Sequence, residues 1–161
     1  MKSAPTYRDR LRLEGGALLG SGLLVSAILL VASAEARRRP WGTVGQLAGV
    51  GLVFGVLGAL AAGRAMRGAR DVAPREAGSG EPTPLWQLPV IVGGLTAAAA
   101  GALGGWEAGL HAAGGCAVVG LIQCVVIERV VAGRERRNGA RYVRLPGSRI
   151  LRGTRLGRLP A

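Results

Sequence analysis

Charged residues divide this chain into long apolar blocks. No charge occurs from Gly15 to Ala34, from Pro40 to Gly63, from Pro82 to Trp106, or from Ala108 to Ile127. Each block reaches the roughly 20 residues that a helix needs to cross about 30 Å of hydrocarbon. None carries the polar stripe of an amphipathic soluble helix. The strands of a membrane barrel are shorter and alternate, and these blocks do not. The pattern predicts an all-α integral membrane protein. Four transmembrane helices, at about residues 17–34, 43–63, 86–103 and 109–131, pair as two antiparallel hairpins in a small Gly/Ala-packed bundle.

The flanks then become a basic N-terminus at 1–14, a linker at 64–85 and an Arg-rich tail at 133–161, around a membrane domain at 15–132. The third block has little lipophilic bulk at Thr96–Gly101, which places it toward the bundle centre. Gly104 and Gly105 predict a tight turn between the third and fourth helices. Trp41, Trp86 and Trp106 all fall at block edges, where an indole keeps its ring apolar and its N–H wet.

Charge sets the orientation. The net charge is +12, and of 21 basic residues only Lys2 is a lysine. With four crossings, the N-terminus, the second loop and the tail share one side. They hold 18 of the basic residues, and the opposite side holds Arg37, Arg38 and Arg39. The positive-inside rule puts both termini in the cytoplasm. The preference for arginine over lysine suggests a GC-rich bacterial source, and so a bacterial inner membrane. The first block has a basic start and an Ala32-Ser33-Ala34 motif that resembles a leader cleavage site. Its apolar length and the arginines directly after it favour an uncut anchor.

Composition sharpens the packing. Glycine occurs 28 times and aromatics make up 4%. Four-residue steps run through Gly16 and Gly20, through Gly51, Gly55, Ala59 and Gly63, and through Gly93, Ala97, Gly101 and Gly105. Small residues on one helix face let backbones approach where lipid supplies no hydrophobic drive. Gly51, Gly55, Gly93 and Gly101 are the expected packing positions, within one chain or between chains. Cys116 and Cys124 lie about 12 Å apart along a helix, too far to bridge.

Chemistry is sparse. Intramembrane polar residues are the functional candidates, and the chief ones are Ser26, Thr96, His111 and Gln123. Gln123 needs an amide partner, for which Ser26 and Thr96 are the expected choices. Glu107 and His111 share a face at i, i+4, as a solvated imidazole–carboxylate pair. No acid lies at mid-span, which argues against proton-coupled transport through a buried carboxylate. No catalytic set, metal-ligand cluster or phosphate loop stands out, so neither an enzyme nor a cofactor is expected.

Arg149, Arg152, Arg155 and Arg158 recur every three residues among leucines, and the glycines and prolines around them disfavour a free helix. An extended tail on anionic lipid headgroups is expected. With only Tyr142 to stack on a base there, nucleic acid is the weaker partner. The expected function is a non-enzymatic structural, assembly or regulatory membrane subunit. Its expected partners are the bilayer and either a second copy or another membrane protein. A channel or transporter component, or a holin-like pore former, is the alternative.

Overall fold

The computed structural model describes residues 6–32, 40–73, 87–103, 105–145 and 155–160; of residues 40–46 and 48 it describes the backbone alone. Four long helical segments dominate. Helix α1 spans Tyr7–Ala32, α2 spans Pro40–Arg67 and α3 spans Gln87–Ala102. The last is one continuous rod: α4 at Trp106–Ile122, a π-helical segment at Gln123–Ile127, and α5 at Glu128–Asn138. Three of these are long and apolar enough to cross a membrane. The chain is therefore membrane-embedded by length and composition. Helix α3 is apolar but has 16 residues, or about 24 Å.

Exposed bulk agrees with a lipid-facing surface. Leu23, Leu24, Ile28 and Val31 on α1, Leu52, Phe54 and Leu57 on α2, and Val90, Ile91 and Leu95 on α3 all point outward. In water so much contiguous apolar surface would drive association.

Helix α1 begins ten residues before the expected span. Thr6 caps it: the Asp9 amide donates to Thr6 Oγ1 at 3.2 Å, and the Thr6 amide donates to the Asp9 carboxylate at 3.1 Å. This reciprocal arrangement satisfies two N-terminal donors. It makes the basic segment the first turns of α1. The fourth helix also outruns its expected limits and ends at Gly139. That residue adopts φ 55°, ψ 36°, and its amide donates to the Glu135 carbonyl. Glycine takes this left-handed turn without a Cβ penalty.

The centre of the bundle is α4 rather than the third helix. Helices α1, α2 and α3 all pack against α4. The reason is its small residues on several faces. A Cβ built at Gly120 would lie 2.5 Å from the Gly15 carbonyl oxygen and 2.5 Å from the Leu19 amide nitrogen. A Cβ at Gly114 would lie 2.9 Å from Leu47 of α2, and one at Gly109 would lie 3.4 Å from Thr96 of α3. Helix α3 packs through Thr96 and Ala100. Its Gly93, Gly94 and Gly101 have nothing within 4 Å.

The rod ends in a small sheet that the apolar pattern did not predict. Strands β1 (Arg70–Asp71), β2 (Ala140–Arg144) and β3 (Leu156–Pro160) lie in the order β1-β3-β2. Strand β3 runs parallel to β1 and antiparallel to β2, with Tyr142 opposite Arg158 and Val143 opposite Gly157. Successive residues of β2 face opposite ways. Tyr142 enters a cluster with Leu11, Ala62, Met66, Val131 and Leu156. Val143 joins Val72 and Leu145. Gly157 leaves room for the Val72 side chain, since a Cβ there would lie 2.6 Å from a Val72 methyl. The tail expected to lie extended on lipid headgroups is thus, at 140–144 and 156–160, paired into strands over one end of the bundle.

Candidate functional site

Three features of the rod position the polar side chains. The first is the α1–α4 seam. Gly15 faces Gly120 and Cys124, and Gly22 faces Ala113 and Ala117. These contacts involve backbone atoms on both helices, so the two axes approach as closely as the chain allows. Gly16 and Gly20, which also stand four apart, have nothing within 4 Å. The small residues that meet are seven apart, at 15 and 22. Two helical turns return to the same face with less drift than repeated steps of four.

The second feature is the α2 row. Gly51 and Gly55 do face the rod: a Cβ on Gly51 would lie 2.7 Å from Val118, and one on Gly55 would lie 3.6 Å from Ile122. The row continues through Gly58, against Ile127, and the buried Ala62 and Met66. Its steps are 4, 3, 4 and 4, which follow 3.6 residues per turn better than strict fours.

The third feature is the π-helical segment Gln123–Ile127. An inserted residue rotates everything after it by about 100°. In an unbroken helix Glu128 would lie about 80° from the Gly120 face; the insertion brings it to within about 20°. Glu128 therefore faces α1.

There it is buried, at 7% exposure, and accepts three charge-assisted hydrogen bonds. Arg8 donates from Nε at 2.8 Å and from Nη2 at 2.5 Å, and Arg12 donates from Nη2 at 2.9 Å. Arg8 also lies 3.6 Å from Glu135. Glu135 in turn accepts the Tyr142 amide at 3.1 Å. Arg144 of β2 pairs with Glu14 of α1 at 3.4 Å. This junction ties α1, α5 and β2 together beneath the seam. Its signal was in the sequence: one acid ends the last apolar block, and two arginines four apart precede the first. Which of them met could not be read without the π insertion.

The junction continues into the sheet. Arg158 grips Asp71 with two bonds, at 2.6 and 3.0 Å. The Arg158 hydrogen bond holds the Asp71 carboxyl below its ordinary value. Arg158, expected on lipid headgroups, thus also pins β3 to β1. Arg155 begins that segment, its amide carbonyl accepting from Leu145 at 3.0 Å. Arg149 and Arg152 lie outside the described residues, as do Trp86, Arg37 to Arg39 and the Ser33-Ala34 part of the leader motif.

The intramembrane candidates do not converge on one point. Gln123 sits beside Gly15. Ser26 is eleven residues further along α1, about 16 Å away. Thr96 lies against Gly109, near the opposite end of the rod from Glu128. Its hydroxyl donates to its own helix, at the Val92 carbonyl, 2.8 Å away. Ser21 does the same to Ala17 at 2.6 Å. The expected amide bonds from Gln123 to Ser26 or Thr96 are therefore not made.

Ser26 and His111 differ from these. Leu29 and Val25 of α1 pack on Leu110, which puts Ser26 at the level of His111. The His111 ring donates from Nδ1 to the Glu107 carbonyl oxygen at 2.6 Å, rather than pairing with the exposed Glu107 carboxylate. Its Nε2 and the Ser26 hydroxyl are both buried without a hydrogen-bond partner among the described residues. Both cysteines are free. Among the described residues no three His, Cys, Asp or Glu side chains gather closely enough to hold a metal ion. Compared with family models, curated proteins and solved structures, the chain matches none.

Proposed function

We propose that this protein is a small non-enzymatic membrane subunit. Its four helical segments cross the bilayer in alternating directions, with α1, α2 and α3 gathered on α4 and both termini and the sheet on the cytoplasmic side of a bacterial inner membrane. Its role is structural, in assembly or regulation, through the helix faces that its own fold leaves open. The observation that carries this is the division of its surfaces. The α1–α4 seam is closed by backbone contact at Gly15, Gly22 and Gly120. The hydroxyls of Ser21 and Thr96 are turned back on their own helices. A closely packed seam suits a scaffold, and the apolar outer faces suit lipid or another membrane helix. The arginines of the sheet suit anionic headgroups.

A channel or transporter component is the second reading. The level shared by Ser26 and His111, with two buried polar atoms unsatisfied, favours it. Reconstitution into liposomes separates the two. The scaffold role predicts ion and small-solute flux equal to that of protein-free vesicles. Flux that Ser26→Ala or His111→Ala abolishes would overturn it. A reporter fused after Arg158 is expected to be cytoplasmic, and a periplasmic signal would refute the orientation.

A further inference from the structure

One cavity lies apart from the seam and from Glu128 itself, on the sheet that the junction reaches. It has a volume of about 400 Å³ and opens where α2 ends, α5 passes and the sheet begins. Met66, Arg67 and Ala69 line it from α2 and the residues after it, Arg134, Arg137 and Asn138 from α5, and Tyr142 and Arg158 from the sheet. Four of these eight are arginines and none is an acid.

The charges are only partly answered. Asp71 neutralises Arg158. One Arg134 N–H is spent on the Gly63 carbonyl oxygen at 3.0 Å, and one from Arg137 on Gly133 at 3.3 Å. Each guanidinium carries five N–H donors in all, so most are left over. Among the described residues no acid pairs with Arg67, Arg134 or Arg137. Neutral donors complete the wall. Asn138 donates its amide to the Tyr142 hydroxyl at 2.8 Å. That bond leaves the Tyr142 proton, on a side chain 1% exposed, for a further acceptor. Like charges gathered on a concave wall raise the local positive potential and attract an anion between them.

We propose that this cavity binds a phosphate group. Guanidinium forks match phosphate oxygens two at a time, and planar donors from three elements surround one tetrahedral anion better than a flat carboxylate. The cavity sits just past the last apolar turn of α2, where Met66 gives way to Arg67. A phospholipid headgroup reaches that depth from the bilayer, and a free phosphate reaches it from water. The site goes beyond the scaffold role and stands on the cavity alone.

The test uses the full chain in detergent at about 0.15 M salt, where charges more than about 8 Å from the anion are largely screened. The probes are dioctanoyl phosphatidic acid, inorganic pyrophosphate and, as the neutral control, dioctanoyl phosphatidylcholine. Native mass spectrometry and titration are expected to show one saturable site for phosphatidic acid and none for phosphatidylcholine. Binding of pyrophosphate as well would identify the free anion as a source, and phosphatidic acid alone would identify the lipid. Arg67→Gln with Arg137→Gln should weaken binding by about thirtyfold. Arg136→Gln with Arg141→Gln removes equal charge from exposed positions outside the cavity and should change it by less than about twofold. Independently of any variant, bound ligand should shield Arg67 and Arg137 from phenylglyoxal but not Arg136 and Arg141. No saturable site for either phosphate probe, equal losses in the two double variants, or equal labelling with and without ligand would each overturn the assignment.

Discussion

Two glycine-rich surfaces of this bundle have the same composition and opposite environments. Along the α1–α4 seam, a Cβ at Gly15, Gly22 or Gly120 would strike backbone. Along the outer face of α3, Gly93, Gly94 and Gly101 meet nothing. Both surfaces are built from small residues at helical spacing. Spacing gives a helix a smooth face, and the partner decides whether the smoothness is used. Gly120 is used because α1 crosses there antiparallel, with its own glycine opposite. Gly101 faces outward because α3 turns Thr96 and Ala100, not its glycines, toward Gly109.

The sharpest way to break this contrast is a matched pair of substitutions. Gly120→Leu should destabilise the detergent-solubilised protein by about 3 kcal/mol or more, since backbone on α1 must move. Gly101→Leu should change stability by less than about 0.5 kcal/mol. Equal losses in thermal melts would erase the distinction.

The next effect lies at the base of the seam. Glu128→Gln removes the buried carboxylate that gathers Arg8 and Arg12. Both arginines reach solvent, at 33% and 58% side-chain exposure, which softens the cost to about 2 kcal/mol. Arg8→Gln should cost less, because Arg12 still answers the charge. Urea titrations of the two variants check the order.

A finer division is expected within α2. A methyl at Gly51 would press on Val118 at 2.7 Å, and one at Gly55 would sit at an ordinary 3.6 Å from Ile122. Gly51→Ala should lose about 1 kcal/mol. Gly55→Ala should lose nothing and gain up to about 0.5 kcal/mol from helix propensity. Melting curves of the two variants side by side decide it.

The smallest effect is at the exposed Asp71–Arg158 pair. The Asp71 pKa is depressed in the folded protein, so its contribution is present above the ordinary carboxylate value. It is lost as pH falls through the lower folded value, and so below about pH 4. The β1–β3 pairing should loosen there while the seam does not. The protection of the Val72 amide, which donates to the Arg158 carbonyl at 3.2 Å, should fall in acid once its exchange rate is divided by the intrinsic rate at each pH. In Asp71→Asn that protection should be reduced at neutral pH as well.

Much of the helical layout was legible in the sequence. Uncharged blocks located the helices because lipid admits few alternatives to them. Helix ends were less legible. The Thr6-x-x-Asp9 cap and the run of helix to Asn138 use charged residues, which the block pattern treats as boundaries. The sheet was illegible because its strands are short and carry Gly157 and Pro160, residues that ordinarily signal loops. Of the four expected packing positions, Gly51 and Gly55 face the rod and Gly93 and Gly101 meet nothing, while Gly15, Gly22 and Gly58 were not among them. A strict four-residue template cannot follow a period of 3.6. The Glu128 junction depended on the π insertion, which rotates the helix below it without any residue type that announces it.

A cross-link tests the central seam most directly. A Cβ at Gly15 would lie 2.7 Å from Cys124 Sγ, close to the spacing within a disulfide. Gly15→Cys, in a chain with Cys116→Ser, should oxidise in the membrane to an intramolecular disulfide with Cys124. The tryptic peptides that carry positions 15 and 124 should then run as one species until reduced. Gly16→Cys, which faces nothing within 4 Å, should leave them separate. Efficient cross-linking from position 16 and none from position 15 would contradict the antiparallel α1–α4 seam on which the bundle is built.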